Sequence, residues 1–512
     1  LDSYLNRITA EMGQLLGSLP WEWLVAALHL ILALMATVHA LLYKRDPRAA
    51  LGWVSMCLFF PLAGSLLYYT FGINRVQTQA HRLSGGRRFR FRVGYERGSL
   101  VHRPTPSLQL DDDDRQLFVA VADHVSTFPL CEGNRITMLR NGEQAYPAML
   151  AAIAGAEHYV LLITYLFQWD AVGRQFVAAL KQAQARGVKV YVLLDGVGEW
   201  YSWPGVVVRH LRRAGVAVER FLPPRLLPPS FSINLRNHRK ILVVDGEQAF
   251  TGGMNIGVRH LLESESAHRT SDLHFAMRGS VVQQLQQVFR SDWQFASGRP
   301  LDLLLPPQVP QQVSLQETVQ EAWHAGTSDE SVCCRCISDG PGEDLDRIAL
   351  VLMGTISAAR EQLTLITPYF LPSRELIGSL QAAALRGVAV TVILPEKSNL
   401  RMVDWASRNL LWELLQYGVR VRYQPPPFAH TKLLLIDGHY AQVGSANIDA
   451  RSLRLNFELN VEIHGASAVA PLQAYGDEIL HASRQVTLRE IVSRPLPARI
   501  RDAACWLFLP YL

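Results

Sequence analysis

The sequence predicts an α/β fold: two similar half-domains with mixed sheets flanked by helices, preceded by an N-terminal transmembrane helical hairpin. Three observations predict it. HRKILVVDGEQAFTGGMN, from His238 to Asn255, returns as HTKLLLIDGHYAQVGSAN, from His430 to Asn447, with the same seventeen-residue spacing from His to Asn. The segments around the two copies repeat as well. Two long apolar stretches, 21–43 and 49–71, precede both copies.

Trp21 to Tyr43 and Ala49 to Phe71 are each long enough to cross about 30 Å of hydrocarbon at 1.5 Å per residue. Aromatic residues mark their ends, as at membrane interfaces. The link from Lys44 to Arg48 is too short for a domain, so residues 1–75 read as a membrane hairpin, with a shallow re-entrant hairpin as the alternative. His29 and His39, inside the first segment, read as neutral residues packed against the neighbouring helix. A basic linker follows at 76–115. Arg75, Arg82, Arg87, Arg88, Arg90 and Arg92 outweigh Lys44, Arg45 and Arg48 in the link, which places the catalytic region of a multi-pass protein in the cytoplasm. The same arginines would attract an anionic leaflet.

Asp111 to Asp114 opens a helix, where carboxylates suit the positive end of the dipole. The first half spans 116–300, a linker rich in Pro and Gln occupies 301–330, and the second half spans 331–512. LLITYLFQWD (Leu161 to Asp170) parallels LTLITPYFLP (Leu363 to Pro372), and ARGVKVYVLLD (Ala185 to Asp195) parallels LRGVAVTVILP (Leu385 to Pro395). AGVAVERF (Ala214 to Phe221) likewise parallels YGVRVRYQ (Tyr417 to Gln424). In each half a strand leads to an amphipathic helix and a Gly-Val turn into an apolar strand, the βαβ pattern. The closing CWLFLPYL suits either a membrane contact or ordinary terminal packing.

Composition narrows the class. The chain is 49% hydrophobic and 19% charged, more apolar than a typical soluble enzyme, and the excess lies in the two apolar segments. A net charge of +5 does not by itself indicate a polyanionic partner. Six cysteines in 512 residues make no disulfide framework. Cys333, Cys334 and Cys336 have the wrong spacing for a zinc site and fit alternate positions of a strand, so no metal and no cofactor is expected.

Phosphodiester exchange without a metal needs a nucleophile, an acid for the leaving alkoxide and fixed positive charge at the phosphoryl oxygens. Histidine serves as nucleophile or acid, lysine as a point charge and asparagine as an amide donor. Residues two apart on a strand share a face, so His238 with Lys240, and His430 with Lys432, can converge on one cationic pocket.

These residues resemble the paired HKD motifs of the phospholipase D superfamily. KRDPRAALGW, NLRNHRK, TGGMNIG, FRSDW, ITPYF and GSANIDARSLRLNFE narrow the resemblance to bacterial cardiolipin synthases, from about Lys44 to Glu462. The resemblance implies an inner-membrane phosphatidyltransferase that joins two phosphatidylglycerols into cardiolipin and glycerol. It implies that His238 attacks phosphorus, that His430, protonated at the outset, acts as acid and then base, and that Lys240, Lys432, Asn255 and Asn447 hold the phosphate, with Ser445 a weaker candidate. Asp245 and Asp437 belong to the motif and stand with the catalytic set, although holding the turn suits them better than touching substrate. Glu458 and Asp272 are the acids expected to orient the histidines, with the pairing left open. The expected partners are phosphatidylglycerol and anionic membrane lipids, not nucleic acid, and a homo-oligomer is left open.

The resemblance is incomplete at Thr270 and Ser271, which stand before Asp272 where the family has Trp-Arg, at Asn399 in place of Asp, and at PFAHTK. These departures bear on headgroup or acceptor choice. The rival readings are a phospholipase D-type hydrolase, a transferase with another donor or acceptor, a nuclease, and a catalytically idle membrane scaffold.

Overall fold

The computed structural model describes residues 21–44, 47–72, 113–224, 235–266, 268–301, 331–340 and 346–507. The arginines expected to set topology, the Pro- and Gln-rich linker and residues 508–512 lie outside these ranges. The chain divides into two compact units, Leu1–Gln79 and Ala80–Leu512.

In the first unit Trp21–Tyr43 is one continuous helix, the single helix among the described residues long and apolar enough to cross a membrane. The second apolar segment differs from the expected single span. It forms helix Pro47–Phe59, helix Pro61–Leu67 and a π-helical turn at Tyr68–Gly72. Pro61 has no N–H to continue the helix and disfavours α geometry at Phe60, which adopts φ −129° and ψ 72°. The 13-residue helix covers only about 20 Å, short of the 30 Å or so of a bilayer core. Ala36 and Ala40 are buried with Cys57 and Tyr68, small side chains letting the helices approach closely. His39 meets the neighbouring helical turn as expected, its Nδ1 lying 2.8 Å from Tyr68 Oη.

The first described element of the second unit is helix Asp113–Val125. Its first half carries β1 (Cys131–Arg140), β2 (Tyr159–Thr164), β3 (Lys189–Asp195), β4 (Ala217–Phe221), β5 (Ile241–Val244), β6 (Gln248–Gly252), the two-residue β7 (Thr270–Ser271) and β8 (Leu273–Arg278). The second half carries β9 (Val332–Asp339), β10 (Gln362–Ile366), β11 (Phe370–Leu371), β12 (Ala389–Pro395), β13 (Arg420–Gln424) and β14 (Phe428–Ala429). It continues with β15 (Leu433–Ile436), β16 (Tyr440–Gly444), β17 (Ile448–Asp449), β18 (Glu458–His464) and β19 (Arg484–Val486).

Fifteen strands form a single sheet in the order β19, β13, β12, β10, β15, β16, β18, β9, β1, β8, β6, β5, β2, β3, β4. Outward from the centre, β1, β8, β6, β5, β2, β3, β4 mirror β9, β18, β16, β15, β10, β12, β13. The halves join where β1 pairs antiparallel with β9, with a register shift between Cys131 and Asn134. That pairing leaves neither half with an open inner edge.

Local chemistry explains the elements. β2 is buried at every position and runs parallel to β3, as a strand covered on both faces does. Helix Ala171–Ala185 makes that crossover and is capped by Asp170, which accepts the Gly173 N–H at 2.9 Å. Helix Arg374–Leu385, capped by Ser373, does the same between β10 and β12. The β5–β6 and β15–β16 hairpins turn at Asp245-Gly246 and Asp437-Gly438, whose φ values are 51°, 72°, 50° and 68°. Asp-Gly suits this turn because both positions need positive φ.

Helix Asp113–Val125 buries Phe118, Ala122 and Val125 among Ile348, Val351 and Leu352 of the second half, although in sequence it lies at the start of the first. Its Asp123 pairs with buried Arg335 of β9. Cys333, Cys334 and Cys336 lie in β9 as expected, the latter two buried. At the C-terminus, Cys505 packs with Val403, Ala406 and Leu410, so that part of the apolar tail is ordinary packing.

Candidate active site

Each HxK motif lies just before a strand of the hairpin, β5 or β15, and each is fastened to the opposite half. His238 N–H donates to the Phe457 carbonyl at 2.9 Å, one residue before Glu458. His430 N–H donates to the Ser271 carbonyl at 2.8 Å, one residue before Asp272, where β7 and β14 pair. These backbone bonds bring each imidazole to an acid of the other half. His238 Nδ1 lies 3.1 Å from Glu458 Oε2, and His430 Nδ1 lies 2.7 Å from Asp272 Oδ2.

Both acids are held in turn. Glu458 is fully buried and accepts from Ser445 Oγ at 2.5 Å and Asn456 Nδ2 at 3.1 Å. Asp272 accepts the Leu273 N–H at 2.8 Å. With Nδ1 committed, Nε2 is the nitrogen left for chemistry on each ring.

His238, His430, Asn255 and Asn447 line one cleft of about 230 Å³. Lys240 and Lys432 fold back beside them. Lys240 Nζ donates to the His238 carbonyl, and Lys432 Nζ lies within 3.2 Å of both ring nitrogens of His430. Asn255 Oδ1 accepts the Leu166 N–H, while Asn447 Oδ1 is buried without a partner among the described residues. Ser445 is buried behind His238, where its hydroxyl bridges Glu458 and the Leu459 N–H. It supports the acid and does not line the cleft.

Asp245 and Asp437 stand at the far end of the motif strands. Asp245 accepts the N–H groups of Glu157, His158 and Tyr159, and Asp437 those of Arg360, Glu361 and Gln362, all between 2.7 and 2.9 Å. Neither lines the cleft. Their membership of the motif reflects the turn.

Burial governs the electrostatics. It lowers His238 despite the opposing pull of Glu458, and it lowers His430 well below the usual imidazole range with help from Lys432 and Lys240. Desolvation also brings Lys240 to about 7 and Lys432 to about 8. Burial raises Asp272, whereas for Glu458 the proximity of His238 and Lys240 outweighs burial and lowers it.

Several cleft residues carried no motif signal. Tyr165 stacks edge-on against His238 at 5.2 Å, Tyr369 lies 6.3 Å from His430, and His260 is buried beside His430 with its Nε2 accepting the Asn255 N–H. Asp449, Arg451 and Asn456 fall inside the quoted GSANIDARSLRLNFE run, which was the available hint. Thr270, Asn399 and Phe428, at or beside the departures noted in sequence, all line the cleft.

A family model described as "Cardiolipin synthase, PLD-like domain" matches residues 149–293 and 352–480, one copy per half. The chain belongs to the cardiolipin synthase family. A model described as "Phospholipase_D-nuclease N-terminal" matches residues 31–72. Among relatives, "Cardiolipin synthase" of Geobacillus kaustophilus is 30% identical over 98% of this chain and 95% of that protein. "Cardiolipin synthase A" of Pseudomonas aeruginosa is 32% identical over 84% of each. The crystal structure of phosphatidylserine synthase from Haemophilus influenzae matches with a TM-score of 0.58 and 14% identity, over 78% of this chain and all of that one, a likeness of fold. The chain is accordingly a membrane-associated enzyme of this family, a phospholipid phosphatidyltransferase with phospholipase D-like domains.

Proposed function

We propose that the enzyme transfers the phosphatidyl group of one phosphatidylglycerol to the free hydroxyl of a second, giving cardiolipin and glycerol. The carrying observation is the pair of imidazoles in one cleft, each held at Nδ1 by a carboxylate of the opposite half. His238 Nε2 attacks phosphorus, the bond to the glycerol oxygen breaks, and His430 supplies the proton to that oxygen. The acceptor hydroxyl then gives its proton to His430 and its oxygen displaces His238. Lys240, Lys432, Asn255 and Asn447 hold the phosphoryl oxygens.

Burial and the neighbouring ammonium groups push both imidazoles toward the neutral form, so the protonated His430 that the acid step needs calls for a further negative charge. The bound phosphodiester anion offsets the two ammonium groups and raises His430, so substrate binding protonates the acid. The balance of arginines after the apolar segments favours a cytoplasmic catalytic region.

The test is the full-length protein in phosphatidylglycerol bilayers, with products read by mass spectrometry. Cardiolipin and glycerol are expected in equal amounts, and a rapid denaturing quench is expected to trap lipid phosphate on His238. Phosphatidic acid as the main product would replace the transferase reading by a hydrolase.

A further inference from the structure

A broad basin opens beside the catalytic cleft. Its volume is about 1170 Å³ against about 230 Å³ for the cleft, and the two share Tyr201, Arg259, Thr270, Asn399 and Phe428. Pockets that bury a small ligand run from about 300 to 1000 Å³, so the cleft has room for one phosphodiester headgroup and the basin for considerably more.

The basin is cationic. Arg259, Arg269 and Lys397 line it, and Asp170 is the one carboxylate among its described lining residues. Both Asp170 oxygens are already committed, to the N–H groups of Gly173 at 2.9 Å and Val258 at 2.7 Å. Arg259 Nε donates to Gln168 Oε1 at 3.3 Å and Arg269 to the Leu262 carbonyl at 3.2 Å. None of the three cations meets a carboxylate within the described residues. Trp203, 73% exposed, stands on the basin wall.

We propose that this basin binds the acceptor lipid, with Arg269 and Lys397, and Arg259 at the junction, holding the acceptor's own phosphate. The inference rests on the two-lipid reading above. An acceptor phosphatidylglycerol carries its attacking hydroxyl on a glycerol bridge, so its phosphate lies several bonds beyond the reacting phosphorus. Lys240 and Lys432 are occupied by the donor phosphate, and two phosphate anions repel, so the second needs cations of its own. In the transfer step the acceptor oxygen bonds phosphorus, the bond from phosphorus to His238 Nε2 breaks, and the proton passes to His430. The indole of Trp203 suits the boundary between headgroup and acyl chain.

The test compares the full-length wild type with Arg269→Glu/Lys397→Glu in phosphatidylglycerol vesicles. Both side chains are exposed, which leaves the core undisturbed. Two outputs are read: cardiolipin formed, and labelled glycerol exchanged into phosphatidylglycerol, which needs the donor site and a small neutral acceptor. The ratio of cardiolipin to exchange should fall about tenfold or more, since charge-assisted contacts to a phosphate are lost. A parallel fall in both outputs, or unchanged cardiolipin, overturns the acceptor site. A wild type that exchanges glycerol yet makes no cardiolipin overturns the two-lipid reading, and the acceptor site with it.

Discussion

Glu458 of the second half holds His238 of the first, Oε2 to Nδ1 at 3.1 Å, while Asp272 of the first half holds His430 of the second at 2.7 Å. Neither motif histidine therefore finds its carboxylate within its own half. The reacting groups depend on the seam between the halves as much as on the motifs themselves.

The crossed arrangement makes Glu458→Gln and Asp272→Asn informative. Each keeps the shape and loses the charge that holds the ring, so activity should fall by about 10²–10⁴-fold, as when the orienting carboxylate of a catalytic histidine is neutralised. Steady-state rates of each variant, with circular dichroism to confirm folding, check this. Losses below about threefold would remove the carboxylates from the catalytic arrangement.

The lysines predict the alkaline limb. With Lys240 lowered to about 7 and Lys432 to about 8 by burial, kcat/KM should decline as pH rises through that range, when the phosphate site loses its fixed charge. Stability should move the other way. The unfolded chain keeps these amines protonated to about 10.4, so between the two ranges it binds more protons than the folded state and stability rises with pH. A pH–rate profile beside a denaturation series shows whether the two trends oppose each other.

Asn447 offers a test of phosphate binding. Its Nδ2 donates one N–H to Ser452 Oγ at 3.2 Å and has a second to offer, and its side chain lines the same cleft as Asn255. Asn447→Ala should lower kcat by about 10²-fold, the effect of losing one donor to a developing oxyanion. A change confined to melting temperature would assign the residue to packing alone.

Asp245 and Asp437 should behave differently from the cleft residues. Each carboxylate accepts three backbone N–H groups, so Asp437→Ala should cost about 2–4 kcal/mol of stability. The specific activity of the folded fraction should stay within about twofold. Urea denaturation and active-site titration separate the two quantities.

The local chemistry was legible in the sequence. The HxK spacing foretells that Lys240 and Lys432 lie beside His238 and His430, although each motif stands just before its strand and not on it. Asp-Gly demands a positive-φ turn, and fully apolar runs demand covered strands. Pro61 was also a local signal, and it outweighed the hydrophobicity that suggested a single span.

What only the tertiary structure decided lies between the halves. Glu458 and His238 are 220 residues apart, and Asp272 and His430 are 158 apart. Two motifs with the same key residues at the same spacing offer each acid two chemically equivalent histidines, so propensity and spacing cannot choose between them. The choice comes from β1 pairing with β9, which makes one sheet of two, and from the backbone bonds of Phe457 and Ser271 to the motif histidines. The same seam carries helix Asp113–Val125 across to the second half, because its apolar face is buried by residues more than two hundred positions downstream. Periodicity shows that such a face must be covered; only the folded chain determines by what.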